Sequence, residues 1–486
     1  MKKISIIVLL TAGISFSCNK LVEEPSSLIT AAQFYKTSAD ASAAVSAAYS
    51  SLNSDIANDF PIYGRNLNLL TGNGSDDQIF SPSNTNPDVR ALGTATYITS
   101  NDRLKKNWQQ HYYGISRANV AIDNIPNIDF DTTLRARFVR ESKFIRALLY
   151  FNIVRLWGDA PLILHDPTTV DVNSLKVART SKDSIYLQII SDLTDATNLP
   201  KTYSGADKGR ATSGAAHALL AKVYITRRDW TKALAEINTV INGGYGYALF
   251  ANYKDAFQKP TKNGAEHIFS VQYETNLGAK NSVQWLSQTN FGSFNPAVYP
   301  GDIPADSTLY KLFAPTDTRR DVTFFTTLYN AATGQNVFFG APRFAKFIDF
   351  SLSPLTNQAQ SGINFPVIRY ADILLLDAEA LNEINGGPTQ EAYDAINKVR
   401  TRASVPNLTA GLNQSDFRDS VFLERRKEFI QEGMRWFDLS RRGGTYLYDA
   451  LKIYPAKTGA AVKDTLYPIP QAEIDLNAQI TQNPGW

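Results

Sequence analysis

Glu424, Glu428 and Glu432 recur every four residues, a spacing that sets three carboxylates on one face of a helix. Such a row could hold a metal ion, or supply the acid and base that paired carboxylates provide in glycoside hydrolysis. Arg425, Arg426, Lys427 and Arg435 are interleaved with it, and carboxylates alternating with cations at helical distances form structural ion-pair networks. The row is therefore read as a network. Asp76 and Asp77 form a second carboxylate pair, but adjacent residues in a turn-rich stretch serve as turn residues or as acceptors for ligand hydroxyls. The four histidines, His111, His165, His217 and His267, are far apart and include no His-Glu-x-x-His pair, so no local zinc motif exists. Neither a Gly-x-Ser-x-Gly elbow, a Walker loop nor calcium-loop spacing occurs, and Gly72-Asn73-Gly74 is followed by acids that would repel phosphate. The residues thus give no catalytic group, no metal site and no cofactor.

These groups need elements to position them. Thr30 to Leu52 is alanine-rich, with Phe34, Val45, Ala48 and Tyr49 at helical spacing. Residues 60 to 100, full of turn formers, read as loop. Helices are expected from Asp102 to Asn124, ended by Pro126, and from Thr133 to Trp157, stopped by Gly158 and Pro161. The second has apolar residues around most of its circumference, as a buried helix does. Ala215 to Asn238 and Ala371 to Asn397 look alike: an alanine-rich helix, a short turn, and a second helix opened by Trp230 or Pro388. Both resemble a tetratricopeptide-type hairpin, a unit of roughly 34 residues that must stack on neighbours to bury its core. Phe138 to Leu162 with Ser184 to Leu199 reads as a degenerate third pair. Residues 245 to 368, rich in Gly, Pro, Asn and aromatics, hold only short strand-like runs such as His267 to Tyr273.

The N-terminus places Lys2 and Lys3 before an apolar run from Ile4 to Ile14, then small residues up to Cys18, the single cysteine of 486 residues. That run is a secretory signal, too short for a membrane span of roughly 20 residues. A lone cysteine in a secreted chain has no internal disulfide partner. Ser15-Phe16-Ser17-Cys18 resembles a bacterial lipobox, with Ser15 where leucine is usual, and acylation at Cys18 would anchor the chain in a membrane. Asn19 to Ser27 would then be a tether. Removing residues 1–17 takes the 49 basic residues to 47 against 46 acidic ones. A near-neutral chain lacks the basic excess that phosphate neutralisation demands, so nucleic acid is not an expected partner.

Six segments in order carry a family resemblance: Arg140 to Ile163; Arg210 to Ile225; Ala265 to Tyr273; Arg369 to Glu383 with Ile396 to Ala403; Val421 to Gly443; and Leu466 to Trp486. Together they resemble the SusD/RagB family of outer-membrane nutrient-binding lipoproteins over nearly the whole chain. The resemblance implies a mainly α fold: a tetratricopeptide-like helical-hairpin superhelix of four hairpins, with an irregular, loop-rich half carrying a few short strands. It implies residues 1–17 as signal peptide, 18–27 as lipidated tether and 28–486 as one domain, with variable ligand-binding segments near 60–101 and 245–368. It also implies a non-enzymatic role at the cell surface: binding glycan and passing it to a TonB-dependent SusC-like channel, with the N-terminal lipid in the outer membrane. The alternatives are a glycoside hydrolase or other polymer-degrading enzyme, and a helical scaffold that binds peptides or other nutrients.

For a glycan ligand, flat aromatic platforms must meet sugar C–H faces while oriented amides and carboxylates meet hydroxyls. Five of the six tryptophans fall in expected helices or frame motifs. Trp285 does not, and Phe291, Phe294 and Tyr299 follow it among glycines and prolines suited to loops. Asn281 and Gln284, with Gln288 and Asn290, could supply amides, and Asp76, Asp77, Gln78 and Tyr97 could join from the other loop-rich segment. The alternative is that these aromatics only pin a loop to the scaffold.

Overall fold

The computed structural model describes residues 34–54, 60–81, 84–167, 171–173, 175–274, 302–330, 333–352 and 361–486. The signal segment, Cys18 and the tether lie outside the described residues, as do Asn281, Gln284, Trp285, Gln288, Asn290, Phe291, Phe294 and Tyr299.

Ten main helices follow one another: α1 (Ser38–Ser50), α2 (Asp102–Asn124), α3 (Thr132–Trp157), α4 (Lys182–Ala196), α5 (Ser213–Arg227), α6 (Trp230–Asn242), α7 (Tyr370–Ile384), α8 (Gln390–Arg402), α9 (Gln414–Glu428) and α10 (Arg435–Arg441). Most start at a side chain that accepts from the first-turn N–H groups: Thr37, Asn101, Asp131, Ser181, Thr212, Asp229, Thr389 and Asn413. Such caps satisfy donors that a helix leaves orphaned. At the end of α3, Gly158 takes a φ of +73°, a left-handed backbone that suits glycine and stops the helix. Pro388 lies just outside α8, because the cap is Thr389.

The helices stack as four successive pairs: α1 with α2, α3 with α4, α5 with α6, and α7 with α8. Each pair also touches the next, α2 on α3, α4 on α5 and α6 on α7, and α9 closes the row against α7. Alanines let the axes approach: Ala41, Ala44 and Ala48 in α1, Ala215, Ala216, Ala218 and Ala221 in α5, and Ala371, Ala378 and Ala380 in α7 are all buried. The apolar stripes of α3 meet the rest of the main core, with Phe144, Leu148, Phe151 and Trp157 buried together. Trp108 packs edge-on against Trp157 at 5.3 Å between centroids. The pairing of α1 with α2 is not legible in the sequence pattern, because 51 residues, from Ser51 to Asn101, separate the two helices.

Among the described residues, four two-stranded antiparallel ladders lie against the scaffold: β1 (Gln78–Phe80), β2 (Ala160–Pro161), β3 (Arg179–Thr180), β4 (His267–Val271), β5 (Asp302–Pro304), β6 (Phe324–Asn330), β7 (Gln335–Phe344) and β8 (Phe365–Arg369), paired β1–β5, β2–β3, β4–β8 and β6–β7. β8 runs straight into α7.

The structure differs from the sequence reading at residues 60–100. That stretch is not loop throughout: it holds a helical turn at Ile62–Asn66, short helices at Leu67–Thr71 and Pro87–Thr94, and β1. Residues 61–78 are buried without exception. The turn formers that suggested loop act as caps and buried hydrogen-bond partners. Asn86, for example, accepts from the N–H groups of Asp88 and Val89, with Pro87 at the first helical position, where its missing N–H costs nothing.

Candidate functional site

Glu428 ends α9 inside the protein, and three guanidinium groups converge on it. Arg369, the last residue of β8, lies 3.0 Å from Glu428 Oε1, while its Nε and Nη2 reach Glu432 at 2.8 and 2.9 Å. Arg402, at the end of α8, donates to Glu428 and to Glu266. Arg319 reaches Glu428 at 3.1 Å, Glu424 at 2.6 Å and Asp317 at 2.8 Å. Arg369 also pairs with Glu266. Lys346 completes the cluster, donating to Glu432 at 3.0 Å and to the carbonyl of Ile430 at 2.6 Å. Burial pushes the Glu428 carboxyl upward, but Arg402, Arg369 and Arg319 outweigh it and hold it far below the usual carboxylate range. A general acid or base works best with a pKa near the working pH, and this carboxylate sits far from it. The glutamate row is a structural ion-pair network.

Its cations are not the ones that sequence spacing offered. Arg425 turns instead to Asp372 at 2.7 Å and Asp438 at 3.0 Å, and Lys222 joins it on Asp372. Arg426 lies 2.7 Å from Asp77 and 3.1 Å from Asp76, and Arg435 grips both oxygens of Asp76 at 2.7 and 2.8 Å. Asp76, Asp77 and Gln78 are consequently turned inward, with exposures of 2, 3 and 1%. Burial pushes Asp76 up, but Arg435 and Arg426 override it and bring its pKa to about 2. Burial raises Asp77, with Arg426 opposing and the Asp76 charge adding to the rise. Gln78 donates to the Asn73 side chain at 3.2 Å. Tyr97 is buried and stacks on Trp486 at 5.3 Å, beside Tyr467. The structure thus gathers Asp76 and Asp77 around Arg426 and Arg435, turns Gln78 to Asn73 and Lys457, and puts Tyr97 in a separate aromatic stack.

A recess of about 400 Å³ opens in the irregular half, between the turns at 253–261 and the chain after β7. Its size falls within the range of small-molecule sites. Phe257, Phe325, Val322 and Ile348 line it, with Gln258 and Ser351 among its polar groups. Phe350, also on its wall, is 57% exposed. Asp349 is fixed beneath by Ser351 and Ser361. Sequence reading did not single out Phe350; its only signal was an aromatic within the segment 245–368. Among the described residues, no three His, Cys, Asp or Glu side chains are grouped as a metal would require, and no helix is long and apolar enough to cross a membrane.

The family described as "SusD family" matches residues 316–486, and the SusD-like family described as "Starch-binding associating with outer membrane" matches residues 34–225. SusD-like protein P2 of Formosa agariphila is 29% identical over 529 residues, covering 100% of this chain and 99% of that one. A SusD homolog from Bacteroides thetaiotaomicron superposes with a TM-score of 0.81 at 25% identity, over 94% of this chain and 99% of that one. A laminarin-binding SusD-like protein superposes with a TM-score of 0.77 at 27% identity, over 93 and 100%.

Glu428→Gln leaves three buried guanidinium groups short of a counter-charge, so urea unfolding should show a loss of about 3–5 kcal/mol; a loss under ~1 kcal/mol would mean the network is dispensable. The folded-state pKa of Asp76 is about 2, against an unfolded value of ~3.9. Its pairing therefore stabilises the fold above about pH 4, and the contribution is lost as pH falls through about 2. Asp76→Asn should be less stable at neutral pH, with a shallower acid limb in its stability profile.

Proposed function

The chain belongs to the SusD/RagB family, and from that premise we propose that it binds oligosaccharides or polysaccharides at the cell surface and passes them, uncleaved, to a TonB-dependent SusC-like outer-membrane channel. The observation that carries this reading is the likeness, over nearly the full length of both chains, to a structure described as laminarin-binding. The match to a family described as starch-binding and outer-membrane-associating points the same way. Residues 1–17 act as signal peptide, Cys18 carries the lipid and residues 18–27 tether the single domain 28–486 to the outer membrane.

The ligand sits on the irregular half. Trp285, Phe291, Phe294 and Tyr299 supply rings, Asn281 and Gln284 supply amides, and the Phe350 recess offers a further apolar face with a polar rim. The non-enzymatic reading is supported by the carboxylates that sequence alone would nominate for hydrolysis. Glu424, Glu428, Asp76 and Asp77 are buried and held by guanidinium groups.

Incubation with a glycan array, followed by assay for new reducing ends, tests the reading: binding without turnover is expected, and either turnover or an absence of binding to every glycan overturns it. Trp285→Ala and Phe350→Ala should each weaken the bound glycan several-fold while leaving Tm nearly unchanged, since a stacked ring contributes on the order of 1 kcal/mol. A fall in Tm together with affinity would make that ring a packing residue. Cys18→Ala should free the folded protein from membranes in cells lacking the channel, because the acyl group is then its only attachment. From native membranes, affinity capture of the wild type should bring the channel with it, since a stable complex of this kind should bury well over ~2,000 Å².

A further inference from the structure

Two recesses on the flank of the scaffold share a wall. One, of about 240 Å³, lies between the end of α1 and β4, and the other, of about 230 Å³, lies between the α4–α5 connection and the chain that follows α6. Lys208, Gly209, Arg210, Phe269 and Ser270 line both, so the two recesses adjoin along β4 as neighbouring lobes, here termed the β4 cleft. Gly209 allows the wall to come close: its φ is +102°, and a Cβ there would lie 2.7 Å from the Gln272 amide carbon.

The charge of this cleft is one-sided. Lys201, Lys208 and Arg210 line it, and among the described residues no aspartate or glutamate does. Behind the wall, Arg210 is held by Glu141 at 2.9 Å and Asp207 at 2.8 Å, and Arg137 faces the same two carboxylates at 3.1 Å each. Two guanidiniums thus meet two carboxylates, and the two exposed lysines are the surplus. Lys201 Nζ donates to the Gly243 carbonyl at 2.8 Å and lies 5.4 Å from the centre of the Tyr245 ring.

The remaining lining suits a polyhydroxylated ligand. Tyr245 and Tyr247 stack at 5.6 Å with 16° between their planes, and their hydroxyls are tied to Ser213 at 3.3 Å and Thr212 at 3.1 Å. The rings are thereby fixed before any ligand arrives, which lowers the ordering cost of binding. Asn263 and Gln272 exchange amide hydrogen bonds at 2.8 and 3.0 Å on the same cleft. The Ser270 hydroxyl is 3% exposed and has no hydrogen-bond partner among the described residues, an arrangement that burial penalises unless something else fills the site.

We propose that this cleft is a second saccharide site, selective for acidic sugars bearing a carboxylate or a sulfate ester, with Lys201 and Lys208 meeting the anionic group. It rests on the glycan-binding reading above and names the ligand class for one part of the surface. Lysine recognises such groups as a point charge, so the preference weakens as salt screens it.

Calorimetric titration of the full mature chain with galacturonate hexamers, sulfated galactan hexamers and neutral galactan hexamers tests the proposal, at low and high ionic strength. At low salt, at least one acidic hexamer should bind roughly fivefold or more tighter than the neutral one, and the advantage should shrink at high salt. Lys201→Gln/Lys208→Gln should remove that advantage without changing Tm, since both side chains are exposed. Equal affinity for acidic and neutral hexamers, or an unchanged double variant, overturns the acidic site. So does displacement of the acidic hexamer by sodium sulfate at a concentration no higher than that of the hexamer itself. Failure of the acidic hexamers alone, with other glycans still bound, overturns this cleft and leaves the glycan-binding reading standing; failure of all glycans removes the premise itself.

Discussion

A carboxylate buried beside three guanidinium groups sets the terms for the rest of the molecule. Glu428 is fully buried, and Arg369, Arg402 and Arg319 reach it from the end of β8, the end of α8 and the chain before β6. An ion in a protein interior must be matched, because an unmatched one carries a desolvation penalty of several kcal/mol. The elements that supply these arginines therefore have little freedom to shift. α7 cannot slide on α9 without parting Asp372 from Arg425, and β8 cannot slip without taking Arg369 from Glu432. The network fixes register where small-residue packing alone would tolerate more than one.

That rigidity leaves the irregular half free to differ in surface without disturbing the frame. The exposed Phe350 ring, the recess beside it and the segment bearing Trp285 belong to the portion of chain between α6 and α7, whereas Glu424, Glu428, Asp76 and Asp77 are buried and paired with arginines. Under the proposed function, one part of the sequence supports and another recognises, a common arrangement in proteins whose loops carry function on a rigid scaffold. The cleft along β4 is an exception, because α1, the α4–α5 connection and the chain after α6 all contribute to it.

Much of the frame was legible because its signals are local. The helix expected from about Asp102 to Asn124 has its periodicity and its terminating proline in one stretch, and the structure places it there. The structural role of the carboxylate row was also visible, but the row does not share one helix face: α9 ends at Glu428, and Glu432 lies beyond it in the turn before α10. The row's partners were not visible. Arg369, Arg402 and Arg319 lie 59, 26 and 109 residues from Glu428, while the arginines next to it in sequence face other acids, since adjacent helix positions point in different directions. Residues 61–78 misled for a related reason: Gly, Asn and Asp mark turns whether the turn is at the surface or in the core. The Phe350 recess and the acid-free cleft have no local signature, because each is assembled from segments that only the fold brings together.

The account's central claim is that the helical frame supports and the irregular half binds. Hydrogen–deuterium exchange, measured segment by segment with and without a glycan taken from the array, addresses that claim directly. Slowed exchange confined to the irregular segment 245–368 and the residues lining the β4 cleft, with α5 to α9 otherwise unchanged, is the predicted result. Slowing concentrated on the helical faces of α7, α8 and α9, with the irregular segment unaffected, would contradict it and place recognition on the scaffold itself.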